Sequence, residues 1–374
     1  MKKNKILIYL VLVLTILLAV SCASGVSIYY NVPAEINMGP YRNIAVSSTV
    51  PFKGMANPPF FVRAIDLDAL WDTLITSSYD VSINNKVANY ATTKLVNTLE
   101  KSGFYNVTGP EKTDVILNAS VLGVSSTEAL AKNNIDAVII PKITSLTINE
   151  FIQSRKITEN DYSKKDKDGN PTKVTKIHYY LYQNVDLGFS YTIIDAKTQA
   201  VIAVKNFNSS DSRSYEVDKY GFLAPDPYYM IQTMIDSYQY YITKQLVPTT
   251  ARKNVTLMSN KPKINSLEAA YNAAKNGYTD RAAELFYKEY EASGHLPSGY
   301  NAALLIAATG NLDKSIELLR ELSRKYTSND VEKLLSNLLV MKQKNDEAMD
   351  QIAGKVSIDY QNNTQDIYQV IMGN

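Results

Sequence analysis

Cysteine is almost missing: Cys22 is the single one in 374 residues. No internal disulfide framework can form. Histidine is nearly as scarce, with only His178 and His295, which excludes a Cys/His zinc site, and no metal or cofactor is expected. There is no Gly-rich phosphate loop ending in Lys-Ser/Thr, no His-Glu-x-x-His and no Gly-x-Ser-x-Gly. The run Lys164-Lys165-Asp166-Lys167-Asp168-Gly169 has the outline of a calcium loop. Lys164 and Thr175 stand where that loop needs carboxylates, so the run reads as a solvated hairpin tip. Neither histidine has a nucleophile beside it in sequence, and no catalytic residue is assigned. An excess of one charge is lacking too. There are 39 basic and 37 acidic side chains, and three of the basic ones are Lys2, Lys3 and Lys5. The rest is balanced, which argues against an electrostatically driven nucleic-acid binder.

What is present begins with an address. Three lysines precede the apolar run 6–20, and the small residues Ser21-Cys22-Ala23-Ser24-Gly25 follow. A basic start, a short apolar stretch and small residues predict a secretory signal peptide over 1–21; the stretch is short for a spanning helix. Ala19-Val20-Ser21-Cys22 resembles the lipobox of bacterial lipoproteins, with Ala19 where Leu is preferred. The resemblance implies cleavage before Cys22 and diacylglycerol on its thiol, often with a further acyl chain such as palmitate on the new amine. Two or three chains anchor stably where one is marginal. Ala23-Ser24 carries no Asp retention signal, so the resemblance points to the outer membrane.

After a lipidated segment over 22–42, an α/β domain is expected over 43–258. Its expected elements are a strand at Asn43–Val50, a helix at Asn84–Ser102, a strand at Tyr105–Thr108 and a helix at Ser126–Asn133. Val87, Ala91, Leu95 and Leu99 recur every fourth residue in the first helix, and Gly103 closes it. Asp136–Leu146 reads as a central strand covered on both faces. Period-2 alternation over Ile177–Ile193 predicts a long half-buried strand. A turn at 195–199 leads to the partner strand Ala200–Phe207, and Ser154–Thr175 is expected as a polar hairpin tip. The alternating stretch Val185–Ile193 also admits a membrane β-strand; its shorter, less regular partner Ala200–Phe207 favours a soluble sheet. Pro227 opens a helix whose apolar face runs from Ile231 to Leu246 before Pro248.

Residues 259–355 read as helical, with a tail over 356–374. Gly277 and Gly310 are 33 residues apart, and Ala282, Ser315 and Ala348 follow at the same step; Phe286 matches Leu319. This spacing resembles the tetratricopeptide repeat. The resemblance assigns the inter-helix glycine to Gly277 and Gly310, the small residue of the second helix to Ala282, Ser315 and Ala348, and the large residue after it to Phe286 and Leu319. Gln343 replaces the third glycine, so two fair copies and one degenerate copy are expected. The order strand, long helix, Gly103, strand, short helix, then Asn134-Ile135-Asp136-Ala137-Val138-Ile139-Ile140-Pro141 and a long hairpin resembles the periplasmic α/β domains of CsgG-like and LpoB-like lipoproteins and the TolB amino-terminal domain.

The fold class expected is therefore α+β, a mixed sheet with helices, followed by an all-α array of helical hairpins. The resemblances imply a lipid-anchored envelope protein that acts as an adaptor, with the membrane and a protein as partners, no nucleic acid, no metal and no enzymatic activity. A secretion-pore component similar to the curli channel and an envelope enzyme are the alternatives.

Overall fold

A computed structural model describes residues 25–54, 79–119, 125–219 and 225–355. Cys22, the apolar run before it and the carboxy-terminal tail lie outside the described residues. The chain divides into two compact units, one of Glu35–Val247 and one that combines residues 25–34 with 248–355. The fold is α+β.

In the first unit, β2 (Asn43–Val46), α1 (Tyr79–Lys101), β3 (Asn106–Thr108), α2 (Pro110–Leu117) and α3 (Ser126–Lys132) precede three long strands. These are β4 (Ala137–Lys165), β5 (Pro171–Asp195) and β6 (Val201–Val217), and α4 (Tyr228–Leu246) closes the unit. The sheet order is β3-β2-β4-β5-β6. Strand β2 is parallel to both β3 and β4, while β4, β5 and β6 run antiparallel. The i+4 row of α1, Val87, Ala91, Leu95 and Leu99, is completely buried. It shares a core with Ile139, Phe189 and Ile193 of the sheet and with Ile231, Ile235 and Ile242 of α4. A smaller cluster on other side chains joins Ile116 of α2 and Leu130 of α3 to Ala45 and Val138. Pro110 at the first turn of α2 suits a helix start, because proline has no N–H to lose there; sequence patterning missed this helix.

Local chemistry fixes the strand starts. Asp136 Oδ2 accepts the backbone N–H groups of Arg42 (2.9 Å) and Asn43 (2.7 Å), tying the entry of β4 to that of β2. A bulge in β4 between Ile143 and Ser145 brings Thr144 and Ser145 against Gly188; a Cβ there would lie 2.4 Å from both hydroxyl oxygens. Only glycine fits so close an approach.

The polar hairpin expected over 154–175 is present and paired almost throughout: β4 pairs with β5 out to Lys165 and Pro171, and the reversal is confined to Asp166–Asn170. One expectation is corrected. Strand β6 does not stop at Phe207 but runs to Val217 with alternating burial. Apolar alternation fades there because both faces of the ribbon meet water, while the backbone ladder continues regardless of side-chain polarity.

In the second unit, β1 (Gly25–Val32) pairs along its whole length with β7 (Thr249–Thr256). Five helices follow: α5 (Glu268–Lys275), α6 (Thr279–Ser293), α7 (Leu296–Ala308), α8 (Leu312–Lys325) and α9 (Asn329–Ile352). The division expected at 42/43 and 258/259 therefore moves. Segments 25–34 and 248–258 belong with the helices, because Ile28 and Leu257 are buried among their apolar side chains. The pairing joins residues more than two hundred positions apart, a contact that local pattern cannot report.

Gly277 (φ 79°) and Gly310 (φ 93°) end α5 and α7 in the left-handed region. The same hydrogen bond follows each: Tyr278 N–H to Ala273 O and Asn311 N–H to Ile306 O, both 5 residues back. This is the Schellman ending that glycine permits. The degenerate third copy is corrected. At Gln343 the chain makes no turn; α9 is one unbroken helix of 24 residues. Without a residue suited to a left-handed cap the helix carries on.

Candidate functional site

The residues singled out by their 33-residue spacing are scaffold. Ala282, Phe286, Ser315, Leu319 and Ala348 are all completely buried. Phe286 meets the Tyr271 ring edge-on at 4.9 Å, and Ser315 Oγ donates to the Ala303 carbonyl across α7 and α8 (2.6 Å). A small side chain is needed where paired helices approach closely. Such residues set helix spacing and expose nothing to solvent.

That surface includes an open cleft of about 510 Å³ beside the end of β7. Lys253 and Val255 of β7 form one wall; Tyr300 of α7 and Asp330, Lys333 and Asn337 of α9 form the other. The wall is held by a buried amide. Asn301, with no exposed surface, accepts the Met258 N–H (2.7 Å) and donates to the Met258 carbonyl (3.0 Å), while Tyr271 also donates its hydroxyl to that carbonyl. Burial pushes the Tyr300 hydroxyl up to about 12, and Asp330 adds to it. Sequence reasoning placed Tyr300–Thr309 in a repeat helix and missed this role. The usable signal was Asn301 at the head of the run Ala302-Ala303-Leu304-Leu305, since a buried amide must find partners.

At the other end of β1 the ties are equally specific. Gln351 of α9 accepts the Ala34 N–H (2.8 Å) and donates to the Ala34 carbonyl (3.0 Å), and Asn345 accepts the Asn31 N–H (3.1 Å). The amino-terminal strand is thereby locked to the last helix.

In the first unit the ribbon of β4, β5 and β6 carries an ordered polar and aromatic face. Phe151 and Tyr182, directly opposite across the ladder, stack with ring centroids 5.1 Å apart. Arg155 donates to the Tyr182 hydroxyl and lies 5.3 Å from the centre of the Tyr180 ring. Next along, His178 sits between two carboxylates, Glu216 of β6 and Glu159 of β4 (2.8 Å), and Glu159 also meets Lys176 (3.0 Å). The hydrogen bond that the imidazole donates to Glu216 lifts it above its ordinary value, with Glu159 acting in the same direction. The hydrogen bond from Lys176 holds the Glu159 carboxyl below its usual range. On the opposite face stand Lys156 and Lys173. A short and irregular partner is no longer a reason against a membrane strand, since β6 is long and regular. The core supplies a better one: the apolar face of Val185–Ile193 (Val185, Leu187, Phe189, Tyr191, Ile193) is buried against α1 and α4, and the ribbon beyond it carries charges on both faces, so no apolar band is left for lipid.

His295 also differs from expectation. Its Nδ1 lies 2.8 Å from Ser298 Oγ in the first turn of α7, so a hydroxyl does stand beside this histidine. Both side chains are buried, and Ser298 has no exposed surface to offer a substrate. Among the described residues no helix is long and apolar enough to cross a membrane.

No family model matches the chain, and no curated protein matches it. Solved structures that align with it include a PelC dodecamer from Paraburkholderia phytofirmans, at 12% identity and TM-score 0.22, covering 59% of this chain and 97% of that one. Another is lipoprotein GNA1162 from Neisseria meningitidis, at 10% identity and TM-score 0.20, covering 54% and 98%. Values this low assign neither fold nor function.

Proposed function

We propose that this chain is a lipid-anchored accessory protein of the cell envelope, working as an adaptor that holds a protein partner close to a membrane surface rather than as an enzyme. In this reading Cys22 carries the acyl chains and the outer membrane is the destination. The helices α5–α8 are two hairpins of the tetratricopeptide type, and the sheet unit is a periplasmic domain of the CsgG/LpoB type. The observation that carries the proposal is the position of β1. It begins at Gly25, three residues after Cys22, pairs with β7 as far as Val32, and is tied to α9 at Asn31 and just beyond its end at Ala34. Three residues reach at most about 10 Å. A tether on Cys22 therefore holds the helical unit itself at the bilayer, and the cleft at Lys253–Met258 adjoins the strand end paired with Gly25. A cleft walled by a strand and two helices suits an extended or helical segment of a partner.

Two measurements test this. Labelled palmitate should enter wild type and leave Cys22→Ser unlabelled and released from membranes. A photo-crosslinking side chain at Asn337 should capture a discrete envelope protein, and the same group at exposed Lys288 should not. Equal membrane retention of Cys22→Ser overturns the anchor, and capture at neither position overturns the adaptor reading.

A further inference from the structure

Strand β6 is the outer strand of its sheet, and its outer edge is unpaired among the described residues. From Val204 to Val217 its side chains alternate between exposed and half-buried without a break. A long regular edge presents a row of free N–H and C=O groups, a template for another strand. Natural edges are usually shortened, bulged or covered; here the one irregularity against β5 is at the far end, near Ile194.

The order of side chains along this edge selects a partner. We infer that two copies of this chain pair β6 against β6, antiparallel, about a twofold axis at Ser212. In that register the residues of a facing pair lie at equal distances either side of Ser212. Asp211 of one copy then faces Arg213 of the other, and the symmetry makes this pair twice. Farther out, Ser209 faces Tyr215 and Phe207 faces Val217. Shifting the axis by one residue sets Asp211 against Asp211 or Arg213 against Arg213, so charge alone rejects the neighbouring registers. Within one chain Asp211 and Arg213 already touch (2.9 Å), and each keeps about a third of its side chain exposed, leaving oxygens and N–H groups for a second copy. Tyr229 of α4, 62% exposed and 5.7 Å from the Arg213 guanidinium, lies near the same axis. The axis is perpendicular to the sheet, so the helix-covered faces of both copies stay on one side and a continuous sheet forms.

The test uses the full chain in detergent, with molar mass read by light scattering. Wild type is expected to dimerise. In R213D and in D211R the two attractive cross-strand pairs become two repulsive ones, and dimerisation weakens at least about ten-fold. Mixing the two variants restores the pairs only between unlike chains, so a heterodimer forms although neither variant regains its internal Asp211–Arg213 contact. Independently, Ser212→Cys places two thiols opposite one another at a spacing a disulfide can close, and mild oxidation should link the chains. Asn208→Cys faces Glu216 and should give no more dimer than wild type, whose only cysteine is Cys22. A monomeric wild type, a dimer indifferent to the charge changes, no rescue on mixing, or equal linking at 208 and 212 each overturns the inference.

Discussion

Replacing Gln351 by alanine tests whether the amino-terminal strand belongs to the helical unit. The Gln351 amide is 8% exposed and meets both backbone groups of Ala34, itself 5% exposed, at 2.8 and 3.0 Å. Removing it leaves one N–H and one C=O buried without these partners. Each such loss costs about 1–3 kcal/mol, and partial access of water brings the pair to about 2–4 kcal/mol. The cost is local, since it falls on the end of β1 and the ladder it shares with β7. Native-state hydrogen exchange on the full chain reads it directly. Amides of 26–32 and 249–256 should exchange roughly 30- to 1000-fold faster, with those of β4 and β5 unchanged. Gln343→Ala on the same helix is the control. Its amide makes an exposed contact to Glu347 (2.9 Å), worth about 0.5 kcal/mol at most. If exchange in β1 and β7 changes less than about three-fold, or equally for both variants, the assignment of residues 25–34 to the helices is wrong.

Other outcomes follow from the same geometry. Phe286→Ala empties a fully buried site against Tyr271 and should cost about 3–5 kcal/mol, seen as a lower denaturation midpoint of the helical unit; a loss under about 1 kcal/mol refutes the packing. Asp136→Ala removes a charged acceptor from two backbone N–H groups and should weaken protection of β2 amides by about 2 kcal/mol, whereas unchanged exchange at Asn43 would count against the cap. His178 should titrate above the ordinary value near 6.5 in a histidine NMR titration, and Glu216→Gln should lower its midpoint. A folded-state value raised above the unfolded one means that the clamp's contribution is complete below the unfolded value and is lost as pH rises through the folded one. A midpoint at or below about 6.5 refutes the clamp.

Much of the local structure was legible. The i+4 row of α1, the Pro227–Leu246 helix and the odd positions of β5 from Leu181 to Ile193 are periodic because one face is buried, and burial imprints itself on composition. Gln183 breaks that apolar row, and the structure supplies its reason. It is fully buried, and its amide donates to Glu150 (2.6 Å) and to the Pro225 carbonyl (2.7 Å). Gly277 and Gly310 were legible because a left-handed helix ending admits few other residues. The outer ribbon was not, since a strand wet on both faces leaves no apolar period to read. Nor was the unbroken α9, where repeat spacing suggested a turn that the local residues do not favour.

The amino-acid sequence alone carries the resemblance to a lipobox at Cys22 and determines the helical hairpins and the alternation of the central strand, because each is written within a few neighbouring residues. Tertiary structure alone decided that β1 closes on β7, that Gln351 holds Ala34 and Asn301 holds Met258, and that β6 ends the sheet with an edge unpaired among the described residues. Those facts join residues far apart in the chain, and pairing across such distances is selected by the free energy of the whole fold rather than by any segment's own preference.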